Sequence, residues 1–345
     1  PKSSLTSSRS STDQERHMKV LLFGGAGYIG THVALEFLDR NDTVGIFDNL
    51  SSGLKSNVHP ESLFYEGDIR DKTRVLEVLS LGWDVVIHLA AYKAAGESKI
   101  KPIKYSENNI TGSLNLITGC IKAGVKHFIL SSSAAVYGEP AYLPVDENHP
   151  KNPTNYYGYT KLCIEENLKW YAELKDFEYV SLRYFNAAGY DEKGRMLGLE
   201  NNPANLIPVV MEVAMGIRPN LLVFGNDYDT VDGTGVRDYV HVTDLAKGHV
   251  LAAEHLMAGK GNLIVNLGSE EGLSVQQLLD TARSITKKPI EAQYVDRRPG
   301  DPAKLVASSK MAQNVLGWKA EHSSAQTILE TTWRVYEANQ KRLKP

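Results

Sequence analysis

The chain has 345 residues, a formal net charge of −3 and 23% charged side chains. That balance leaves no basic stripe for a nucleic-acid backbone, and no apolar run approaches the ~20 residues needed to span a bilayer. A chain of this length holds a large core or two lobes, because single cores stop growing at about 250–300 residues.

Residues 1–17 are rich in Ser and Thr and lack the apolar stretch of a signal peptide. They read as a disordered tail or an expression remnant ahead of Met18, which reads as a native start. The stretch up to Ser11 is acid-poor, so a transit peptide stays open as an alternative.

The first patterned segment runs from Lys19 to Gly30, KVLLFGGAGYIG. Val20 to Phe23 form a continuous apolar run, as expected of a parallel strand buried on both faces. Gly24, Gly27 and Gly30 follow in a G-x-x-G-x-x-G spacing, and an amphipathic helix is expected from Tyr28 to about Arg40. Glycines there permit a tight turn and close approach of backbone to a pyrophosphate, which the helix N-terminus faces. A second strand, Val44 to Phe47, ends at Asp48, eighteen residues beyond Gly30. An acid at that tip accepts from both ribose hydroxyls and repels a 2′-phosphate, so NAD is expected over NADP. Leu63–Tyr65 leading into Gly67-Asp68-Ile69, and Val85–His88 leading into Leu89-Ala90-Ala91, repeat the strand-to-loop pattern. Strands alternating with helical segments predict an α/β fold, a Rossmann-type doubly wound parallel sheet with ligands at the carboxyl ends of its strands.

Cys120 falls on a helix expected over 103–123, and Cys163 on one expected over 155–174. Neither has a metal-type spacing, so no metal is expected, and packed thiols suit a reducing cytoplasm. The strand expected at His127–Leu130 is followed by Ser131-Ser132-Ser133-Ala134-Ala135, and the second helix carries Tyr157 and Lys161. Residues four apart share a helical face, so a phenol and an ammonium stand side by side. A free tyrosine, with a pKa of about 10, is a poor base. A fixed cation is expected to favour its phenolate and bring it into the range of a proton-transfer catalyst.

With Asn109 in NNITG, these segments resemble the extended short-chain dehydrogenase/reductase family, and within it the UDP-galactose 4-epimerases. GGAGYIG, DNLSSG, GDIRD, HLAAYKAAGES, SSSAAVYG, YYGYTK, RYFNAAGY, FGNDYDTVDGTGVRDYVHVTDLA and RRPGD match that family in order, over nearly the whole chain from Met18. The resemblance implies that Tyr157 is the base and acid on the sugar O4 and that Ser133 hydrogen-bonds O4. Lys161 would bind the nicotinamide ribose, Lys93 would lie near the nicotinamide, and Asn109 would be a structural polar residue beside the site. Asp68 and Ile69 would flank the adenine, Asp68 accepting from its amino group; Tyr28, Ile29, Asn49, Leu89, Ala90 and Tyr184 would be further cofactor contacts. On the substrate side, Asn186 would contact the diphosphate of a UDP-sugar. Asn205, Leu206, Leu222 and Phe224 would flank the uridine, and Asp301 would accept from its ribose. Arg237 and Arg298 are candidate phosphate ligands, because a guanidinium fork matches phosphate oxygens. His241 reads as a packed structural histidine.

The reaction so implied is epimerisation at C4 through a transient 4-keto sugar, with the cofactor kept through turnover. Ala134 and Ala135 separate it from the related dehydratases, which need an added acid and base just after the serine. A net dehydrogenase would use the same oxidising machinery. A non-catalytic NAD(H) sensor would be expected to lose the tyrosine, lysine or serine. The segment after Asp301 lacks the bulky aromatic of the best-known members, and the matching position is Lys304 or Leu305. A Leu wall would leave room for an N-acetyl group, which keeps UDP-GlcNAc/UDP-GalNAc epimerisation as an alternative. The expected organisation is a tail at 1–17, an NAD domain at 18–186 with a return segment near 237–255, and a mixed α/β UDP-sugar lobe at 187–345. The family's long helices also imply a homodimer.

Overall fold

Seven strands form one sheet in which every neighbouring pair is parallel. The structure, a computed structural model, describes residues 17–200, 203, 205–298 and 300–343; of the expected tail, residues 1–16 lie outside these. The strands are β1 (Lys19–Phe23), β2 (Thr43–Asp48), β3 (Leu63–Glu66), β4 (Val85–His88), β5 (His127–Ser133), β6 (Glu178–Tyr184) and, much later, β10 (Leu263–Leu267). Their order is β10-β6-β5-β4-β1-β2-β3. Val20–Phe23 of β1, Val85–Ile87 of β4 and the centre of β5 are buried because helices cover both faces. On one face, α1 (Tyr28–Asp39) packs against α8 (Val242–Met257). On the other, α2 (Lys72–Leu79) packs against α5 (Ser113–Ala123), which adjoins α6 (Tyr156–Leu174). Short helices α3 (Ala95–Ile100) and α4 (Pro102–Tyr105), then a π-helical stretch over Ser106–Gly112, lead into α5.

Two expectations shift. The strand expected to stop at Leu130 continues to Ser133, because Ser131, Ser132 and Ser133 still pair with Leu182, Arg183 and Tyr184 of β6. The return segment expected near 237–255 is also longer. β10 completes the sheet edge against β6, and α10 (Lys310–Leu316) packs on β10 and α8. The core continues to Trp318, whose indole N–H donates to Asp244 O at 2.7 Å. A periodicity reading has no means to see that an isolated apolar strand pairs with one eighty residues earlier.

The remaining chain builds a second core. β7 (Asn186–Ala188), β9 (Val236–His241), β11 (Gly272–Ser274) and β13 (Lys304–Leu305) form one small sheet; β8 (Leu221–Phe224) pairs with β12 (Ala292–Val295). Helices α7 (Leu206–Ala214), α9 (Val275–Thr286) and α11 (Ala325–Ala338) pack together around Met211, Leu279 and Leu329. The two cores meet at a seam of histidines. His32 Nδ1 donates to Tyr28 O and its Nε2 accepts from Asp191 N at 3.0 Å. His241 caps α8 by accepting from Thr243 N at 3.1 Å.

Candidate active site

The turn after β1 is fixed by its glycines. Gly24 has φ +85°, and a Cβ there would sit 2.6 Å from Ala90 N. A Cβ on Gly30 would meet Gly24 O at 2.4 Å, so α1 crosses the turn at a distance only glycine allows. Gly27 differs, since its Cβ would meet only Gly24 O, at 3.3 Å. It heads α1 with no side-chain cap, leaving backbone N–H groups aimed into a cavity that Gly24, Gly27, Tyr28, Ile29, Gly30, Asp48 and Asn49 line. Asp48 accepts from Ala26 N at 3.0 Å and Leu50 N at 2.8 Å; burial raises its pKa. Ile69, Leu89, Ala90 and Lys93 line the same cavity, and Ser131 stands at its edge.

The α6 residues do not line this cavity themselves and are joined to it through Ser131. Lys161 is buried and donates to Ser131 O at 2.7 Å. Tyr157 and Ser133 sit together, and Ser133 Oγ also accepts from Ala135 N at 3.1 Å. Asn155 caps α6 by accepting from Gly158 N at 2.9 Å, while Ser98 Oγ accepts from Tyr157 N at 3.0 Å. Asn109 lies in the π-helical stretch. Its amide donates to Tyr92 O at 2.9 Å and Thr160 Oγ1 at 3.2 Å, and its oxygen accepts from Tyr92 N at 2.9 Å. It thereby joins the loop after β4 to α6.

Burial raises the Tyr157 pKa, and the Ser133 hydroxyl opposes the rise. Burial also drives Lys161 down to about 8, against the pull of Glu165. Loss of water disfavours the charged form of both groups, and the ammonium is spent on a carbonyl.

Other residues take partners that the sequence did not suggest. Asp68 already holds internal partners. Arg70 donates to both its oxygens, at 2.9 and 2.7 Å, and Asn49 to one at 2.8 Å, which together hold its carboxyl well below the usual range. Tyr184 is buried behind the site, its hydroxyl bonded to His249, and does not line the cavity. Lys93 forms an ion pair with Glu200 across the cavity mouth. Glu200, Met196, Gly198, Leu199 and Asn57 line this cavity too, and none was marked by a motif.

A second cavity is lined by Leu206, Leu222, Phe224, Arg237, Arg298 and Asp301, with Asn205 just before α7 as its N-cap residue. Here one arginine pairs with an acid and the other with backbone. Arg298 donates to Asp301 at 2.8 Å and lies 4.6 Å over the Phe224 ring; Arg237 donates to Val236 O at 2.9 Å. Asn186, expected at a diphosphate, donates to Asp238 O at 2.8 Å and joins β7 to β9. Within the RRPGD motif, Pro299 lies outside the described residues.

The sequence model of the NAD dependent epimerase/dehydratase family matches residues 20–268. The chain belongs to that family. It is similar to the UDP-glucose 4-epimerase of Halalkalibacterium halodurans, with 44% identity over 318 residues, covering 92% of this chain and 95% of the relative. Its fold is similar to the crystal structure of UDP-glucose 4-epimerase from Brucella ovis in complex with NAD. There the TM-score is 0.89 and the identity 41%, over 91% of this chain and 97% of that one. The UDP-Glc/GlcNAc 4-epimerase from Campylobacter jejuni is similar as well, with a TM-score of 0.83 and 34% identity over 93% of this chain and 99% of that one.

The cavity fits the dinucleotide of this NAD-dependent family. Gly27 leaves open the volume a side chain would fill, the head of α1 offers uncapped N–H groups, and Asp48 stands at the tip of β2. No helix among the described residues is long and apolar enough to cross a membrane.

Proposed function

We propose that the protein catalyses NAD-dependent 4-epimerisation of UDP-hexoses, interconverting UDP-galactose and UDP-glucose through a transient 4-keto sugar. The observation that carries this reading is the meeting of Tyr157, Ser133 and Lys161 at the Ser131 end of the glycine-turn cavity, with Ala134 and Ala135 beside them. Bound NAD supplies the oxidant that takes hydride from C4 and the reductant that returns it. Tyr157 takes the O4 proton while Ser133 holds that oxygen by a hydrogen bond. Lys161 orients the ribose and adds positive charge to the site. The 4-keto sugar turns about its diphosphate link, and Tyr157 returns the proton to the other stereoisomer. Alanines at 134 and 135 offer no acid or base for eliminating water, so the chemistry ends there. Residues 18–186, with the return through β10 and α10, hold the cofactor. The second lobe holds the UDP-sugar, with Arg237 and Arg298 turning from their present partners to the diphosphate. The test is to add UDP-galactose to purified protein without added cofactor. UDP-glucose is expected, with no accumulation of NADH; a stable keto sugar with NADH would make it a dehydrogenase.

One observation favours tolerance of N-acetylated substrates. Leu305, rather than exposed Lys304, packs against the small core of Ala134, Val136, Tyr137 and Val145 beside the catalytic strand. A leucine there leaves more room than an aromatic ring. UDP-GlcNAc should be converted, and Leu305→Tyr should remove that activity while sparing UDP-galactose. No turnover of UDP-GlcNAc by the unaltered protein would end this reading.

A homodimer fits the exposed apolar face of α3, α4 and α6. Ile100 is 78% and Trp170 61% exposed, with Ile103, Tyr159 and Leu174 nearby. Light scattering should give twice the chain mass, and Trp170→Glu should shift it to the monomer.

A further inference from the structure

Three successive residues of β5 are gripped by three residues of α6. The Ser131 carbonyl accepts from Lys161 at 2.7 Å, the Ser132 hydroxyl donates to Glu165 at 2.6 Å, and the Ser133 hydroxyl sits beside Tyr157. Positions 157, 161 and 165 are four apart, so they lie along one helical face. The Ser132–Glu165 contact touches no reacting atom, yet it is the one backed by a buried ion pair.

Glu165 receives a bidentate fork from Arg183, Nε to Oε1 at 3.0 Å and Nη2 to Oε2 at 2.6 Å. Arg183 is the β6 residue paired in register with Ser132. Its remaining nitrogen donates to the Tyr137 hydroxyl at 2.8 Å, which in turn donates to Asn266 of β10 at 2.6 Å. Glu165, Arg183, Ser132, Tyr137 and Asn266 are each 2% exposed or less. A buried ion pair is weak as a source of stability, because apolar residues of similar volume often serve as well or better. Its value lies in geometry: a planar fork fixes both the rotation of α6 and its height over the sheet.

We propose that Glu165, clamped by Arg183 and Ser132, is a positioning residue that sets Tyr157 and Lys161 against the end of β5. This rests on the epimerase reading for the roles of Tyr157 and Lys161. Glu165 also places a negative charge one turn from the Lys161 amine and favours its ammonium form. Other titratable groups around that amine are Tyr157 on α6, His88 on β4 and Tyr184 on β6. Burial, and then Lys161 itself, keep His88 neutral.

The test is Glu165→Gln, read by the titration of Lys161 in protein carrying isotope-labelled lysine, the resonance being assigned with Lys161→Met. The midpoint should fall by about one pH unit or more. With UDP-galactose, kcat should drop about tenfold or more while KM stays within about twofold, and the alkaline limb of the kcat profile should move to lower pH with the lysine. Glu165→Met/Arg183→Met replaces the pair by apolar volume and keeps the fold testable if the single variant unfolds. It should melt near the unaltered protein yet stay slow. An unmoved lysine midpoint, or full kcat in the folded double variant, would overturn the proposal. The lysine titration needs no substrate, so it still decides the point if the unaltered protein fails to convert UDP-galactose.

Discussion

The two cavities are built in opposite ways. The one around the glycine turn has a floor of backbone, with Gly24 N bonded to Phe47 O at 2.8 Å and Ala90 N to Phe23 O at 2.9 Å. Its shape is set by where main chain can approach main chain, and it stands ready for a dinucleotide. The second cavity is made of side chains from β8, β9 and the loop before β13, and its arginines are engaged with their own neighbours. A ligand there must exchange partners as it binds. The cofactor should therefore be held almost permanently, while the sugar nucleotide comes and goes.

The largest effect tests the junction between the two. Tyr157→Phe should lower kcat by about 10²–10⁴-fold while leaving bound NAD unchanged in extracts of the purified protein. Loss of the cofactor together with activity would show that the tyrosine is part of the first cavity's binding surface. Arg298→Ala should act on the second cavity alone, raising KM for UDP-galactose about 10–100-fold, the worth of one or two charge-assisted hydrogen bonds. A fall in kcat at unchanged KM would place this arginine with the chemistry instead.

Gly30→Ala should act on the first cavity alone. Its Cβ would stand 2.4 Å from Gly24 O, and forcing the turn to yield should cost about 1–3 kcal/mol of stability. The cofactor content of the isolated variant should fall, and a fully loaded variant would mean that the turn is softer than its contacts imply.

The smallest effect per group concerns the histidines at the seam and behind the site. Burial lowers His32 to about 4, His241 to about 3 and His249 to about 4. Each is neutral in the folded chain where the unfolded chain binds a proton, so stability is lost as pH falls below about 6.5 toward those values. Each should contribute at most about 1.4 kcal/mol per pH unit in that window. Denaturant titrations at pH 7 and pH 5 should show the loss, and His249→Gln should reduce it. A flat profile would mean that these rings accept protons without unfolding.

The contrast between the cavities also explains what the sequence disclosed. A backbone cavity needs glycines at fixed spacing, an apolar strand and an acid at the next strand tip, all within thirty residues, so it can be read from one local pattern. Tyr157 and Lys161 are legible for the same reason, being one helical turn apart. Asn57, Gly198 and Glu200 are not, because they reach the cavity from loops whose path is set by tertiary packing. The Glu165–Arg183 pair was equally hidden, since an acid on a helix and a basic residue in a strand look like surface charges until the fold buries both. Nor did the sequence show that Arg70, two residues on, bonds the Asp68 carboxylate.

The central claim is that hydride leaves C4 and returns to the same carbon without leaving the protein. UDP-galactose carrying deuterium at C4, supplied with no free cofactor, should give UDP-glucose that keeps the label at C4, with no NADH released into solution. Exchange of the label with solvent, or its appearance in free NADH, would contradict the account.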